Sequence, residues 1–368
     1  MRILIDARSV RTPAGLQVFR GLCRGWLHDT RVDAVIAAIP RRFAESDVPR
    51  GVQPLHVTSN NWASHLLTEL PRAADRTRAD VIFCPNGVGP ADTRAVVYLQ
   101  DMFHFVFKAA SNAAARIAVQ RALRAGIRAL SHPYHRVAIA VSPAIAQAAE
   151  SRFRVPIEVV PNGVDVSDLR WQGGGASVLV LGGMGARKDE GTALNAWASI
   201  ERPDGVRLTV VGVEPRQRRA RLRLMARNLG IGKSVLIRGT LSRGPYLKEL
   251  SCCLVAISCS RLEAFSLPVA EALMMNAPIV CSDIAAHMDL IARAGAGRLF
   301  PQRDSKALGV MILDALHGVL PTQTGGPIPG WDWQSRAAQQ VDIFERYIVD
   351  PPRTPTHFKA SMSTSSPY

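Results

Sequence analysis

A helix N-terminus is predicted inside the segment Ser260-Arg-Leu-Glu-Ala-Phe-Ser-Leu-Pro-Val-Ala-Glu-Ala-Leu-Met-Met-Asn-Ala-Pro-Ile-Val280. Ser266 is expected to cap this helix, and Pro268 fits its first turn. Asn276 tolerates the left-handed conformation in which many helices end, and a proline follows it closely. Because the apolar run Leu254–Ile257 before the segment predicts a strand, the helix would begin at the carboxyl end of that strand.

Such a helix N-terminus favours an anion, because its first backbone N–H groups are free and its dipole is positive there. Phe265, Ser266 and Leu267 would present those N–H groups to a diphosphate. Glu271, on the first turns of the helix, can then accept both hydroxyls of a ribose, and Glu263 would lie nearer a sugar on the far phosphate. The alternative is that Glu271 only complements the helix dipole and that Glu263 is a solvated loop residue.

The rest of the chain alternates short apolar, β-branched runs with helical stretches, which is typical of parallel sheets covered on both faces. The predicted strands are too many for one comfortable sheet, and a Gly/Ser-rich break at Gly173–Ser177 divides them into two halves. We therefore predict an α/β protein with two Rossmann-like doubly wound domains facing a cleft. The ligand would bind at the carboxyl ends of the strands.

Composition sets further limits on the 368-residue chain. The six cysteines form no paired C-x-x-C motifs, so buried free thiols are expected rather than a zinc site. No apolar run approaches the ~20 residues of a membrane helix, and Asp6 interrupts the first one, so we expect a cytoplasmic protein or one on the inner face of a membrane. The net charge of +15 is compatible with nucleic acid, anionic lipid or phosphorylated substrates as partners.

The segment that follows the predicted strand resembles the E-x₇-E signature of retaining glycosyltransferases of the group-1, family-four type, which have the GT-B fold. Two residues, Ala264 and Ser266, replace glycines of the usual pattern. The matching residues are Glu263, Phe265, Leu267, Pro268, Glu271 and Ala272.

The first half of the chain is similar to the same family. Met1–Trp26 resembles its opening, where Gly15 matches the glycine that lets the diphosphate approach the backbone. Gln17 and Val18 depart from the usual Gly-Arg pair. The segment Val96–Phe105 resembles the family's strand followed by His-Asp. Within it, Gln100 stands where histidine is common, and Asp101 matches.

The second half resembles the family at its loops. Leu181–Asp189 is similar to the G-x-x-x-x-R-K-N loop, so Lys188 matches the phosphate-binding lysine, with Arg187 before it. Gly183 stands where many members have an arginine. Val160–Asp165 matches the V-x-P-N-G-V-D landmark.

The resemblance implies a domain organisation. Residues 1–165 would form the acceptor-binding domain and residues 166–330 the nucleotide-sugar-binding domain. Residues 331–349 would form a helix that crosses back to the first domain, and the Pro/Ser/Thr-rich residues 350–368 are expected to be a disordered tail.

The implied activity is transfer of a hexose, mannose or similar, from a GDP- or UDP-sugar to a polysaccharide or lipid-linked oligosaccharide acceptor, with retention of configuration. Glu263, Asp101 and Gln100 would be catalytic. The donor would be bound by Gly15, Arg187, Lys188, Phe265, Ser266, Leu267 and Glu271.

Paired carboxylates of the D-x-D type are absent from the sequence. Because a metal-dependent transferase generally needs such a pair, we expect no metal and no other cofactor. Lys188, Arg187 and the helix N-terminus would neutralise the diphosphate instead.

A predicted helix at Asn112–Leu130 carries repeated arginines. These side chains are expected to meet an anionic acceptor or the surface of an anionic membrane. They are Arg116, Arg121, Arg124 and Arg128.

Two other functions remain open at this point. A nucleotide-sugar 2-epimerase resembles this fold and also holds a nucleoside diphosphate. The departures at Gln100 and Gly183 leave room for a basic membrane-binding or nucleic-acid-binding protein on an inactive transferase scaffold. Nucleic acid is not expected as a partner, since the sequence has no aromatic stacking platform and no recognised nucleic-acid motif.

Overall fold

The computed structural model describes residues 1–10, 12–59, 61–100, 126, 131–166, 168–320 and 328–351. These residues form two parallel sheets with helices around them, as the alternating pattern predicts. The proposed residues Asp101, Arg116, Arg121, Arg124 and Arg128 lie outside the described residues, and so does the tail from residue 352.

The first sheet has seven strands in the order β3-β2-β1-β4-β5-β6-β7, and every neighbouring pair is parallel. Its strands are β1 Arg2–Asp6, β2 Ala34–Pro40, β3 Gln53–Val57, β4 Val81–Cys84, β5 Ala95–Leu99, β6 Ala138–Ala140 and β7 Ile157–Val159. Its helices are α1 Pro13–Leu27, α2 Trp62–Ser64, α3 Leu70–Thr77 and α4 Pro143–Glu150.

The second sheet has six parallel strands in the order β10-β9-β8-β11-β12-β13. Its strands are β8 Ser177–Leu181, β9 Arg207–Val211, β10 Val235–Ile237, β11 Val255–Ser258, β12 Ile279–Ser282 and β13 Arg298–Phe300. The helices that follow are α5 Glu190–Ser199, α6 Arg216–Asn228, α7 Arg243–Cys252, α8 Leu267–Met274, α9 Ala285–Ala294, α10 Ser305–Leu316 and α11 Trp333–Phe344.

The sequence pattern missed one edge strand of each sheet, β7 and β13, although it predicted the other edge strands, β3 and β10. Each has three residues of which one is charged, Glu158 or Arg298, so no continuous apolar run marks it, whereas the equally short β10 is Val-Leu-Ile. The residue pattern of Asn61–Leu70 predicts a helix, and the helical stretch in the structure extends further, to Thr77. It begins after Asn61, which caps α2, passes through a π-helical turn at His65–Glu69 and continues as α3.

The strands of both sheets lie in the core, because helices cover both faces of each sheet. The residues Ile3 to Ile5 of β1 are wholly buried, as are the four of β4. All six cysteines are free thiols, and five of them are buried, as expected from their apolar surroundings.

The last helix, α11, packs on α1 of the first half. Two glycines one turn apart, Gly21 and Gly25, allow this close approach: a Cβ at Gly21 would lie 2.2 Å from the Trp333 ring, and one at Gly25 would lie 2.5 Å from the Trp333 carbonyl. Further along, Phe344 lies against Trp26, with ring centroids 6.1 Å apart. The C-terminal helix is therefore anchored to the first half of the chain by tight packing.

We predict that Gly21→Ala lowers the free energy of unfolding by about 1–3 kcal/mol, because the added methyl overlaps the Trp333 indole. Urea denaturation measures this change. Gly244→Ala is the matched control, because its Cβ meets nothing within 4 Å; in a helix it should be neutral or stabilising by about 1 kcal/mol. Equal effects of the two substitutions would contradict the packing account.

Candidate active site

Two loops meet at the point where the strand order of the second sheet changes direction, between β8 and β11. The loop after β8 turns through Gly185, whose φ of 86° favours glycine, into a short 3₁₀ turn at Ala186–Lys188. The loop after β11 carries Glu263. The backbone N–H of Arg261 donates to the Arg187 carbonyl at 2.8 Å, which joins the two loops. Parallel α/β sheets bind their ligands at such a switch point.

Glu263 accepts contacts from three side chains through one carboxylate oxygen, Oε1. Lys188 Nζ lies 2.7 Å away, Arg187 Nη1 2.6 Å, and Ser260 Oγ donates at 2.8 Å. The Glu263 side chain is 8% exposed and that of Lys188 is 7% exposed. The interpretation of Glu263 as a solvated loop residue is therefore wrong.

The burial and the neighbours of Glu263 determine the pKa of its carboxyl group. Burial alone would raise it, but the charges of Lys188 and Arg187, with hydrogen bonds from Lys188 and Ser260, lower it to about 2. The carboxylate is therefore ionised throughout the neutral pH range, and it holds two cations next to the cleft.

Helix α8 begins at Leu267. Its second residue, Pro268, has no N–H group, and the N–H of Val269 donates to the Ser266 carbonyl at 3.1 Å, so the N–H groups that can face an anion are those of Phe265, Ser266 and Leu267. Ser266 does not cap it as the sequence predicted, because no hydrogen bond joins its side chain to the helix. Its backbone is left-handed, with φ 70° and ψ 69°, the conformation that the glycine of the family pattern adopts easily. The hydroxyl lies instead 3.3 Å from Nε2 of His287.

Glu271 lies on the same helix and is 2% exposed. Its Oε1 accepts hydrogen bonds from two directions: Gln17 Nε2 donates at 2.7 Å from the first half of the chain, and Arg243 Nη1 donates from the start of α7. Arg243 also donates to the carbonyl of Asp165. The Glu271 carboxylate therefore connects the two halves of the chain. Its role is not restricted to complementing the helix dipole.

Gly183 stands at the position where many family members carry an arginine, and the Lys188 side chain lies against it. A Cβ at Gly183 would lie 2.9 Å from Cε of Lys188. The Gly183 carbonyl accepts a hydrogen bond from Arg218 Nη1 at 2.7 Å. Lys188 therefore occupies the space beside Gly183, and Arg187 supplies the second cation.

Two predicted residues of the first half also line the cleft. The Gly15 N–H donates to the N-cap Thr12 Oγ1 at 3.0 Å, and the Gln100 amide donates to the Pro85 carbonyl at 3.3 Å. Both face the elements of the second half described above.

Sequence reasoning missed four residues that organise the site: Gln17, Arg243, Ser142 and His287. Ser142 Oγ donates to the Ala264 carbonyl at 2.7 Å, across from the first half to the loop of Glu263. Gln17 was noted only as a departure from the family pattern. Ser142 lies in Val141-Ser142-Pro143, which resembles another landmark of the family, so two local signals existed. The contacts themselves arise from tertiary structure.

The cleft between the halves has a volume of ≈ 1510 Å³. Within the described ranges, no group of three His, Cys, Asp or Glu residues is arranged to hold a metal ion. Nor does any described helix have the length and apolar character to cross a membrane. The lining includes Gly15, Gln17, Gln100, Gly183, Arg187, Lys188, Arg243, Glu263, Phe265, Ser266, Leu267 and Glu271.

Solved structures similar to this chain share its two-domain fold, GT-B. Sucrose-phosphate synthase from Thermosynechococcus elongatus has 15% identity and a TM-score of 0.73, with 94% of this chain and 98% of that chain covered. A glycosyltransferase from Rickettsia africae has 13% identity and a TM-score of 0.68, with 95% and 99% covered. HepE from Anabaena, in complex with UDP and glucose, has 17% identity and a TM-score of 0.62, with 95% and 96% covered. A search of curated proteins by sequence finds no match.

Two family models match adjoining parts of the sequence. The family described as Glycosyltransferase Family 4 matches residues 17–168, and Glycosyl transferases group 1 matches residues 165–320. The second match contains both glutamates of the cleft, Lys188 and the N-terminus of α8. The chain belongs to the group-1 glycosyltransferases.

Proposed function

We propose that the protein is a retaining hexosyltransferase that uses a nucleoside diphosphate sugar as donor. One observation carries this proposal: Glu263 and Glu271 flank the N-terminus of α8, and Lys188 and Arg187 lie at the Glu263 side. Positive charge and free N–H groups thus converge where a diphosphate would sit, with a carboxylate at each end. A sugar and a ribose are the two hydroxyl-rich groups attached to such a diphosphate.

The chemistry that this arrangement supports is departure of the nucleoside diphosphate from the anomeric carbon. Negative charge develops on the leaving phosphate, and Lys188, Arg187 and the helix N-terminus stabilise it without rearrangement. Front-face attack lets the leaving phosphate oxygen take the proton of the acceptor hydroxyl. Glu263 contacts the sugar, and Gln100 and Asp101 orient it from the first half of the chain.

The donor is a GDP- or UDP-hexose, mannose or similar, and the acceptor is a polysaccharide or lipid-linked oligosaccharide. Support for a nucleotide-sugar donor comes from HepE, whose structures contain UDP, glucose and UDP-glucose. The arginines Arg116, Arg121, Arg124 and Arg128 provide charge for an anionic acceptor or for peripheral contact with the inner face of the membrane.

Incubation with a panel of UDP- and GDP-hexoses and an oligosaccharide acceptor tests the proposal. The expected result is a glycosylated acceptor, with the anomeric configuration of the donor preserved in NMR spectra of the product. Alteration of the donor sugar in the absence of acceptor would support an epimerase instead, and inversion of configuration would overturn the retaining mechanism.

Activity is expected to persist without a divalent metal, because Lys188 and Arg187 supply the positive charge that a metal would provide. Turnover is measured in excess EDTA, with and without added magnesium or manganese. Loss of turnover in EDTA that either metal restores would contradict this prediction.

Glu271→Gln should weaken binding of the free nucleoside diphosphate and of the nucleotide sugar alike. Charge-assisted hydrogen bonds to ribose hydroxyls contribute about 1.5–3 kcal/mol each, so the dissociation constant should rise by about ten- to a hundredfold. Titration calorimetry measures both ligands. Glu249→Gln is the matched control, because Glu249 pairs with Arg238 at 2.5 Å and is not among the residues that line the cleft. A loss of affinity in the control equal to that in Glu271→Gln would refute the ribose assignment.

Glu263→Gln, in contrast, should not weaken binding of the bare nucleotide. Removing the charge of Glu263 releases Lys188 and Arg187 for the phosphates, so affinity for UDP or GDP should stay the same or increase. The kcat should fall by about 10²-fold, since contacts to the sugar matter most in the transition state. Weaker binding of the bare nucleotide, similar to that of Glu271→Gln, would show that the two carboxylates do not have separate roles.

A further inference from the structure

His287 is a buried residue outside the cleft lining, and it touches the loop that would hold the phosphates. It is the third residue of α9 and is 0% exposed. Its ring lies where the carboxyl ends of β11 and β12 meet, among the hydroxyls of Ser258, Ser266 and Ser282. Neither the family motifs nor the charged cluster around Glu263 accounts for a histidine in this position.

The hydrogen bonds of the ring determine where its proton lies. Nδ1 is 2.9 Å from the carbonyl oxygen of Ser282, which can only accept, so Nδ1 carries the proton. Burial, reinforced by the Lys188 charge, lowers the pKa of His287 to about 4 although the Ser282 hydrogen bond and the Glu263 charge oppose the shift. The ring is therefore neutral near pH 7, and Nε2 is an acceptor.

Nε2 accepts from Ser266, whose hydroxyl lies 3.3 Å away. Ser266 needs such a partner, because a residue with a Cβ at φ 70° pays a conformational cost that glycine avoids. A left-handed residue directly before a helix can turn successive N–H groups toward one point, an arrangement that binds anions, and Ser266 has this position before α8. The same ring is connected to Glu263, because Ser282 Oγ donates to the Ser260 carbonyl and Ser260 Oγ donates to Glu263.

We propose that His287 is a positioning residue for the diphosphate: through Ser266 it holds the N-terminus of α8 in the conformation that presents backbone N–H groups to the phosphates. The contact between Ser266 and His287 thus stabilises, in this chain, the left-handed backbone conformation that glycine adopts easily at the same position of the family pattern. The inference rests on the proposed function, since it assumes that a nucleoside diphosphate binds at α8.

Two substitutions at His287 distinguish the role of Nδ1 from that of Nε2. The Asn amide N of His287→Asn can replace Nδ1 as donor to Ser282, but the variant lacks the acceptor at Nε2. The side-chain oxygen of His287→Gln reaches the position of Nε2 and can still accept from Ser266. Titration calorimetry with UDP and GDP should show about five- to tenfold weaker binding for His287→Asn and a change within about twofold for His287→Gln.

A double-mutant cycle tests that the effect passes through Ser266. In the Ser266→Gly background the left-handed conformation needs no support, so adding His287→Asn should change the affinity by less than about twofold. Ser258→Ala removes the other hydroxyl near Nε2, at 3.4 Å, and serves as the control with affinity near that of the unmodified protein. Ser266→Ala removes the hydroxyl without disturbing the buried ring, and it should reproduce the loss if His287→Asn does not fold.

The outcomes are distinct. Equal losses in His287→Asn and His287→Gln, additive losses in the double mutant, or unchanged binding in both His287→Asn and Ser266→Ala would overturn the inference alone. Failure of the unmodified protein to bind either UDP or GDP would overturn the proposed function, and the role of His287 with it.

Discussion

The contact of Glu263 with Lys188 and Arg187 is the constraint on which the site depends. Buried charges are stable only when each meets a partner, so the loop after β8 and the loop after β11 must stay together. The small residue at Gly183 makes room for Lys188, and the Arg261 N–H fixes the backbone of the two loops. The same contact holds two cations beside the N-terminus of α8 before any anion binds.

The second constraint is that both halves of the chain touch the residues proposed to hold the donor. Gln17 reaches Glu271 from α1, and Ser142 reaches the Ala264 carbonyl from the start of α4. The packing of α11 on α1 connects the halves a third time, and Gly21, Gly25 and Trp333 of this contact also line the cleft. A ribose that binds at Glu271 as proposed would meet a carboxylate whose Oε1 already accepts from Gln17 and Arg243. In the proposed binding mode, donor binding would therefore be coupled to the contact between the halves.

The sequence predicted the parts of this structure that depend on local pattern. Continuous apolar runs predicted most strands of both sheets, including the three-residue edge strand β10. The edge strand β13 was not recognised, because one of its three residues is Arg298. Serine is a common N-cap, so Ser266 was expected to cap α8; the contact with His287, distant in sequence, decides its conformation instead. The partners of Glu271 lie 254 and 28 residues away, and no local pattern carries such information.

A crystal structure of the protein with UDP or GDP, whichever binds more tightly, tests the central claim most directly. The diphosphate should lie within hydrogen-bond distance, about 2.7–3.2 Å, of the backbone N–H groups at the start of α8 and of Lys188 Nζ, with the ribose hydroxyls on Glu271. Glu271 would then exchange Gln17, Arg243 or both for the ribose. A nucleotide bound elsewhere, or one whose ribose lies at Glu263, would contradict the account.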